Sequence, residues 1–356
     1  MTAAVPDTRE EALSPGWLTE ALQSRFPGIE VVDVAVGPVV ERISTNVRFT
    51  IECSGGVPDG LSPHLCVKGY FSETGRESRA AGRSEACFYR DIAADSGVRT
   101  LRSVYAGFDE QTNHGVVVTE DAIAQGGTFL DAGDRCDPDR AALVLEQFAR
   151  LHASTWLDPR IADIPWLAPR LGGSLRHWGS DVVLERIEDN FRGENGHRVP
   201  EVVRDAERLL RAYQDLLPTL TDEQLSSGWS VIHGDAHVGN LMLDADGLPS
   251  LVDWQLVQRG AWYIDVGDVI TTALSVEDRR RHERDLLAHY LECLRSFGAP
   301  APDADDAWNA LRHGIVHGFY CWGITSKVEP RLIEILLHRL GTAAADHDVF
   351  APARTS

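Results

Sequence analysis

The sequence predicts an α/β chain of the α+β kind, with a small antiparallel β-rich lobe followed by a larger, mainly helical one. Three observations lead there. Early in the chain Val47, Phe49 and Ile51 alternate with Arg48, Thr50 and Glu52, the period of a half-buried strand. From about residue 125 the pattern changes to helical segments joined by loops. A length of 356 residues is long for one compact domain and sufficient for two lobes, each with a core.

The elements follow in order. Segment 14–26, SPGWLTEALQSRF, has a cap-like start and helical spacing of Trp17, Leu18, Leu22 and Phe26. Three strand-like runs come next, at 29–40, 45–53 and 64–71, with SGGVPDGLSP turning the second into the third. They predict an antiparallel meander. Segment 78–95 reads as a helix with Ala81, Glu85, Phe88 and Ile92 on one stripe, and a carboxylate on an apolar stripe needs a positive partner. Glu77 competes for the same role, but it lies off that stripe. LRSVYAGF and GVVVTED read as further strands, the latter ending at Thr119, Glu120 and Asp121. Helices are expected at 137–156, 181–191, 200–217 and 276–297, with two more before the C-terminus. The expected division is 1–118, a connection at 119–124, and 125–356, the last containing a polar loop and hairpin at 231–254.

A formal charge of −20 argues against nucleic acid or an anionic membrane as partner. It suits either a cationic substrate or plain solubility. The six scattered cysteines form no C-x-x-C pair and read as reduced core thiols, and no apolar run approaches membrane-spanning length. A cytoplasmic protein, monomeric or homodimeric, is the expectation. The basic residues comprise 32 arginines and two lysines, Lys68 and Lys327. Keeping a lysine inside HLCVKGYF points to the point-charge chemistry of an ammonium there.

The stretch VIHGDAHVGNLM at 231–242 carries the strongest chemical signal. After it, LML and LV flank the turn sequence DADGLPS, which predicts a hairpin pairing 241 with 252 and Asn240 with Asp253. A carboxylate and an amide oxygen side by side are hard ligands suited to Mg²⁺, completed by water and substrate phosphates. Asp235 in the entering loop is placed to accept a proton from an incoming hydroxyl.

H-G-D-x-x-x-x-N followed by an isolated Asp-aromatic resembles the catalytic core of the aminoglycoside phosphotransferase and choline kinase-like branch of the protein kinase-like fold. DWQ at 253–255 and HVGN at 237–240 look most like its ecdysteroid kinase-like members. The resemblance implies a bilobal fold with a nucleotide-binding N-lobe, a hinge and a helical C-lobe. It implies ATP and Mg²⁺ as cofactors, Asp235 as catalytic base, and Asn240 and Asp253 as metal ligands. Lys68 would hold the nucleotide phosphates with Glu85 as its helix partner, and Asp265 would anchor the catalytic-loop backbone. Thr119 and Glu120 would lie in the adenine-binding hinge. The phosphate loop departs from the family pattern, with one glycine in GPVVERISTN, where Ser44, Thr45 and Asn46 can offer hydroxyls and backbone N–H groups. The ordered elements span about 200 residues.

The expected activity is transfer of the γ-phosphoryl group of ATP to a hydroxyl of a small molecule. Segment 160–228 and C-terminal helices bearing Trp308, Phe319, Tyr320 and Trp322 are expected to form the acceptor pocket. Carboxylates of APDADDAW and Glu329 would suit an aminoglycoside, whereas the aromatics would suit a sterol-like alcohol or a hydroxyacyl chain. Two other readings stand beside this one: a catalytically silent nucleotide- or metabolite-binding protein, and a metal-dependent phosphohydrolase using H-x-D-x-H. His233 and His237 read as structural, His152 as a satisfied core histidine, and DHD at 346–348 as solvated surface.

Overall fold

A computed structural model describes residues 3–169, 180–221 and 228–351. The chain forms two compact units, one of Met1–Thr128 with Met242–Val257 and the other of Phe129–Leu241 with Gln258–Ser356. The division therefore differs from the expected 1–118 and 125–356, because the hairpin that follows the polar loop packs with the N-terminal unit.

In the first unit, β1 (Val31–Glu41), β2 (Thr45–Cys53), β3 (His64–Gly69), β4 (Ser103–Phe108) and β5 (Gly115–Glu120) form an antiparallel sheet of order β1-β2-β3-β5-β4. The predicted alternation holds in β2, where Val47, Phe49 and Ile51 are buried. Those side chains meet Trp17, Leu18 and Leu22 of helix α1 (Pro15–Leu22), which Ser14 caps by accepting the Trp17 N–H. Helix α2 (Arg79–Asp91) lies on the strand pair β4 and β5. Its close approach needs glycine: a Cβ at Gly115 would stand 2.0 Å from the Gly82 carbonyl oxygen.

The hairpin strands Leu241–Leu243 and Pro249–Leu251 are joined by a type I turn with Gly247 in the left-handed region, φ 79°. Asp244 N–H donates to the Leu248 carbonyl at 3.0 Å, pairing 244 with 248. The register is thus one residue from the expected pairing of 241 with 252, because the glycine takes a bulge position in a three-residue loop.

The second unit contains α3 (Pro138–Ser154), α4 (Ser180–Arg192), α5 (Ala206–Thr221), α6 (Tyr263–Thr272), α7 (Val276–Ser296), α8 (Ala304–Gly323) and α9 (Pro330–Asp346). Strand Trp229–Ile232 pairs antiparallel with Gln258–Ala261. Helix α5 begins later than the predicted 200, after a 3₁₀ turn at Glu201–Val203. Helix α6 is buried along its whole length, its aspartates and threonines included, so it lacked the amphipathic stripe that marked the others. Asp346 and Asp348 of DHD are exposed, as expected of surface, but the segment has partners. Asp346 pairs with Arg279 and Arg280, and His347 Nε2 lies 3.0 Å from Glu283. All six cysteines are free thiols, and no helix among the described residues is long and apolar enough to cross a membrane.

Candidate active site

The N-terminal unit assembles one group of functional side chains. Lys68 on β3 extends its ammonium to Glu85 Oε2 and Asp253 Oδ1, each at 2.7 Å. Glu77 is exposed and takes no part. Glu85 is delivered by α2, and Phe88, nearly one turn further on, stacks on Trp254 with ring centroids 3.6 Å apart. The Trp254 indole N–H donates to Thr100 Oγ1 at 2.9 Å. Since Trp254 follows Asp253, this stack fixes helix and carboxylate together. Tyr70 on the far side donates to Gln255 Oε1 at 3.2 Å. The sequence paired Lys68 with Glu85 and singled out Asp253 as a metal ligand, but it gave neither the Lys68–Asp253 ion pair nor the aromatic brace, since nothing in spacing links residues 88 and 254.

Two carboxylates share one ammonium in this trio. Burial disfavours the Lys68 charge, but Glu85 and Asp253 more than offset it and hold the lysine well above its ordinary pKa. Glu85 is raised, first by burial and further by Asp253, although Lys68 opposes that. The stable arrangement is a permanently charged ammonium between two acids. Asp253 itself has left-handed backbone, φ 66°, a strained conformation for a residue with a Cβ.

The other sequence-predicted positions in this unit differ in character. Asn46 is the cross-strand neighbour of Lys68, and its amide reaches Ser44 Oγ at 3.5 Å in the tight β1–β2 turn. Thr119 is buried beside Cys66. The Glu120 carboxylate is occupied by Arg102 at 2.7 Å, Gln125 at 2.8 Å and the Ser62 N–H at 3.2 Å. Its backbone N–H is committed too, donating to the Arg102 carbonyl at 2.9 Å.

The helical unit assembles a second group. Strand Trp229–Ile232 delivers His233, then Gly234 with φ 79°, then Asp235. Asp265 on α6 accepts the N–H groups of His233 at 2.7 Å and Gly234 at 2.8 Å, and His152 Nε2 lies 3.1 Å from it. His152 is satisfied on both ring nitrogens, since Nδ1 meets the Tyr290 hydroxyl at 2.8 Å. Asp235 is a quarter exposed. Asn240 Nδ2 donates to its carboxylate at 3.0 Å and to its carbonyl at 2.8 Å. His237 Nδ1 accepts the Gly239 N–H at 3.1 Å, which places the ring proton on Nε2, 3.6 Å from Asp235.

These bonds determine what a divalent cation could use. With the Asn240 nitrogen committed to Asp235, its amide oxygen is the atom left for a hard cation, and Asp253 offers carboxylate oxygens. Each, taken by itself, is a hard oxygen donor of the kind Mg²⁺ accepts, an ion that binds through few protein oxygens and retains water or phosphate ligands. Among the described residues no group of three His, Cys, Asp or Glu could hold a metal, as the H-x-D-x-H hydrolase reading requires.

Asp268, one turn after Asp265, is a residue that sequence reading missed. It is buried, one oxygen accepts the Ala236 N–H, and among the described residues Oδ1 meets no hydrogen-bond partner. Burial, then the charges of Asp235 and Asp265, push its pKa well above the carboxylate range. A raised acid binds its proton more tightly folded than unfolded, so its contribution to stability is full below the unfolded pKa and falls as pH rises through the folded one. Asp268→Asn is therefore expected to raise the melting temperature by a few degrees relative to wild type at pH 8, with the advantage vanishing near pH 4, in paired thermal scans. Equal shifts at both values would show that Asp268 ionises freely.

The acceptor candidates separate cleanly. Trp322, itself buried at 8% exposure, stands edge-on to His237 of the polar loop at 5.7 Å. Phe319 and Tyr320 are core, stacked on Phe191 and Tyr213, and Trp308 packs against Arg284 and His347. The APDADDAW acids cap α8: Asp303 accepts the Asp305 and Asp306 N–H groups. At helical rise they lie roughly 24 Å from Trp322, so they cannot serve an acceptor there. Glu329 is an exposed residue preceding α9. Within segment 160–228, residues 170–179 and 222–227 lie outside the described residues.

The sequence matches the model of the phosphotransferase enzyme family, APH, over residues 78–308. A comparison with curated protein sequences gave no match. Among solved structures, an ethanolamine kinase from Plasmodium vivax superposes with a TM-score of 0.52 at 10% identity, covering 99% of this chain and 93% of that one. A spectinomycin phosphotransferase solved with ADP and spectinomycin gives 0.50 at 11% identity, covering 94% and 99%. The kinase-like α+β fold is common to all three.

Proposed function

Because the chain belongs to the phosphotransferase enzyme family, we propose that it transfers the γ-phosphoryl group of ATP, with Mg²⁺, to a hydroxyl of a small molecule. The observation that carries this reading is the charged Lys68 held between Glu85 and Asp253. Lys68 is a point charge for the nucleotide phosphates, and its ion pair with Glu85 would keep it aimed with Asp253 engaged by a metal. Asp253 and the Asn240 amide oxygen are the protein's ligands for Mg²⁺. The bound ion would neutralise charge on the transferring phosphoryl group. Asp235 accepts the acceptor's proton, while the Asn240 amide and the Asp265 clamp on 233 and 234 hold the loop in one geometry.

For the acceptor, Trp322 beside the catalytic loop and the distance of the Asp303 cluster favour an alcohol with an apolar body over a polycation. The DWQ and HVGN motifs favour the ecdysteroid kinase-like branch in the same direction. The test is ³¹P NMR of ATP with Mg²⁺ and a panel of sterol-like, hydroxyacyl and aminoglycoside alcohols. A new phosphomonoester signal accompanied by ADP is the expected result. No phosphomonoester from any class, together with unchanged melting on adding ATP and Mg²⁺, would reject it.

A further inference from the structure

We propose that a cavity in the helical unit, formed where α7 begins and α9 passes the 133–136 loop, is a binding site for a phosphate-type oxyanion. The cavity measures about 240 Å³ and is lined by Arg135, Arg198, His338 and Arg339, with Ser275 and Glu277 at the helix start. Three guanidinium groups and an imidazole face one carboxylate. That inverts the balance of a chain with 54 acidic and 34 basic residues.

Arg339 is the buried floor of the site, 6% exposed. Its donors reach carbonyl oxygens alone, of Asp134 at 3.2 Å, Gly133 at 3.3 Å and Thr272. Burial, and then the neighbouring Arg135, lower its pKa to about 10. Arg279, buried in the same bundle, shows the ordinary solution: it is matched by Glu283 and Asp346. Among the described residues, neither Arg339 nor the exposed Arg135 has a carboxylate within ion-pair distance. Arg198 is half exposed, 3.7 Å from Glu334, and free to turn. A buried charge without a counter-ion is costly, and an oxyanion between the two guanidinium forks supplies what the chain does not.

The remaining lining fits the same ligand. Ser275 caps α7, whose 21 residues direct a positive dipole end towards the cavity, although Glu277 and Asp278 in the first turn offset part of it. His338 Nδ1 donates to the Arg198 carbonyl at 3.0 Å and so carries the ring proton; burial, with Arg198 and Arg339 nearby, lowers its pKa and favours the neutral ring when no anion is bound. Planar guanidinium groups match tetrahedral oxyanions by paired hydrogen bonds, and the volume admits a phosphate group with a small attached body. Occupancy also bears on the active site. Ala132, in the loop whose carbonyls Arg339 holds, stands 2.8 Å from the place a Cβ on Gly239 would take.

The experiment is isothermal titration of the full chain, without Mg²⁺ or nucleotide, using inorganic phosphate in one arm and glycerol 3-phosphate in the other. Chloride at matched ionic strength is the control. Wild type is expected to bind phosphate ligands beyond the chloride response, and Arg135→Gln to weaken binding by about ten-fold, the scale of one lost charge-assisted pair. Lys68→Ala is expected to bind as wild type does. Tighter binding of the monoester identifies a phosphorylated small molecule as the ligand, and tighter binding of phosphate identifies the free ion. Equal affinity in wild type and Arg135→Gln overturns the proposal, as does loss in Lys68→Ala with Arg135→Gln intact, which would place the anion at the nucleotide site. Arg198→Gln, another exposed change, guards against a local effect at 135.

Discussion

Replacing Asp235 by asparagine is expected to lower phosphoryl transfer by about 10²- to 10⁴-fold, the worth of a positioned general base. The change is close to isosteric. The Asn240 amide still finds the 235 carbonyl at 2.8 Å, and the loop stays pinned by Asp265 at 233 and 234. Stability and the ATP-dependent rise in melting temperature should therefore survive, because Lys68, Glu85 and Asp253 are untouched. The measurement pairs steady-state kinetics on the acceptor found by NMR with thermal shifts on the same preparation. Loss in kcat at constant nucleotide response assigns Asp235 to chemistry. Retention of more than about a tenth of wild-type kcat would mean that the hydroxyl loses its proton elsewhere, since general-base removal costs at least 10²-fold.

Asp268 shows why such an assignment needs the structure. The spacing of acids at 265 and 268 is visible in YIDVGDV, yet the letters alone do not say which acid clamps backbone and which is left with an oxygen unpaired. Asp265 has both oxygens satisfied by backbone N–H groups, whereas Asp268 is pressed towards neutrality by burial and by the charges of Asp235 and Asp265. A loop carrying a base can tolerate two more acids nearby when one is fully hydrogen-bonded and the other keeps its proton.

The N-terminal sheet was legible because each of its strands either alternates or forms an apolar run between glycine-rich turns. Lys68 was legible for a different reason: in a chain that otherwise spells positive charge as arginine, it is one of two lysines. Glu85 followed from a charge on an apolar stripe. What stayed hidden depends on contacts between distant positions. The Phe88–Trp254 stack, the His152–Asp265 bond and the Asp346 ion pairs each join residues far apart in sequence with no shared period. Helix α6 had no amphipathic stripe to mark it because it is buried on every side, and only the family resemblance of Asp265 pointed to it. The acids at 303–306 misled because acidic residues at a helix start cap backbone N–H groups as readily as they bind cations.

Changing Asp253 should abolish the Mg²⁺-dependent part of nucleotide binding without unfolding the protein, and two variants separate those effects. At 100 times Kd a ligand stabilises the folded state by about 2.7 kcal/mol. Asp253→Ala is expected to lose most of that response, measured as the difference between melting in ATP with Mg²⁺ and ATP with a chelator. Its ligand-free stability should change little, since Lys68 keeps Glu85 at 2.7 Å while the left-handed backbone at 253 still carries a Cβ. Asp253→Gly removes that strain, of order 1 kcal/mol. It should melt higher than Asp253→Ala without ligand yet respond to Mg²⁺ and ATP no better. A glycine variant that regained the metal response would show that the Asp253 carboxylate is not the ligand. Persistence of the response in both variants would leave Asp253 as no more than the counter-ion of Lys68.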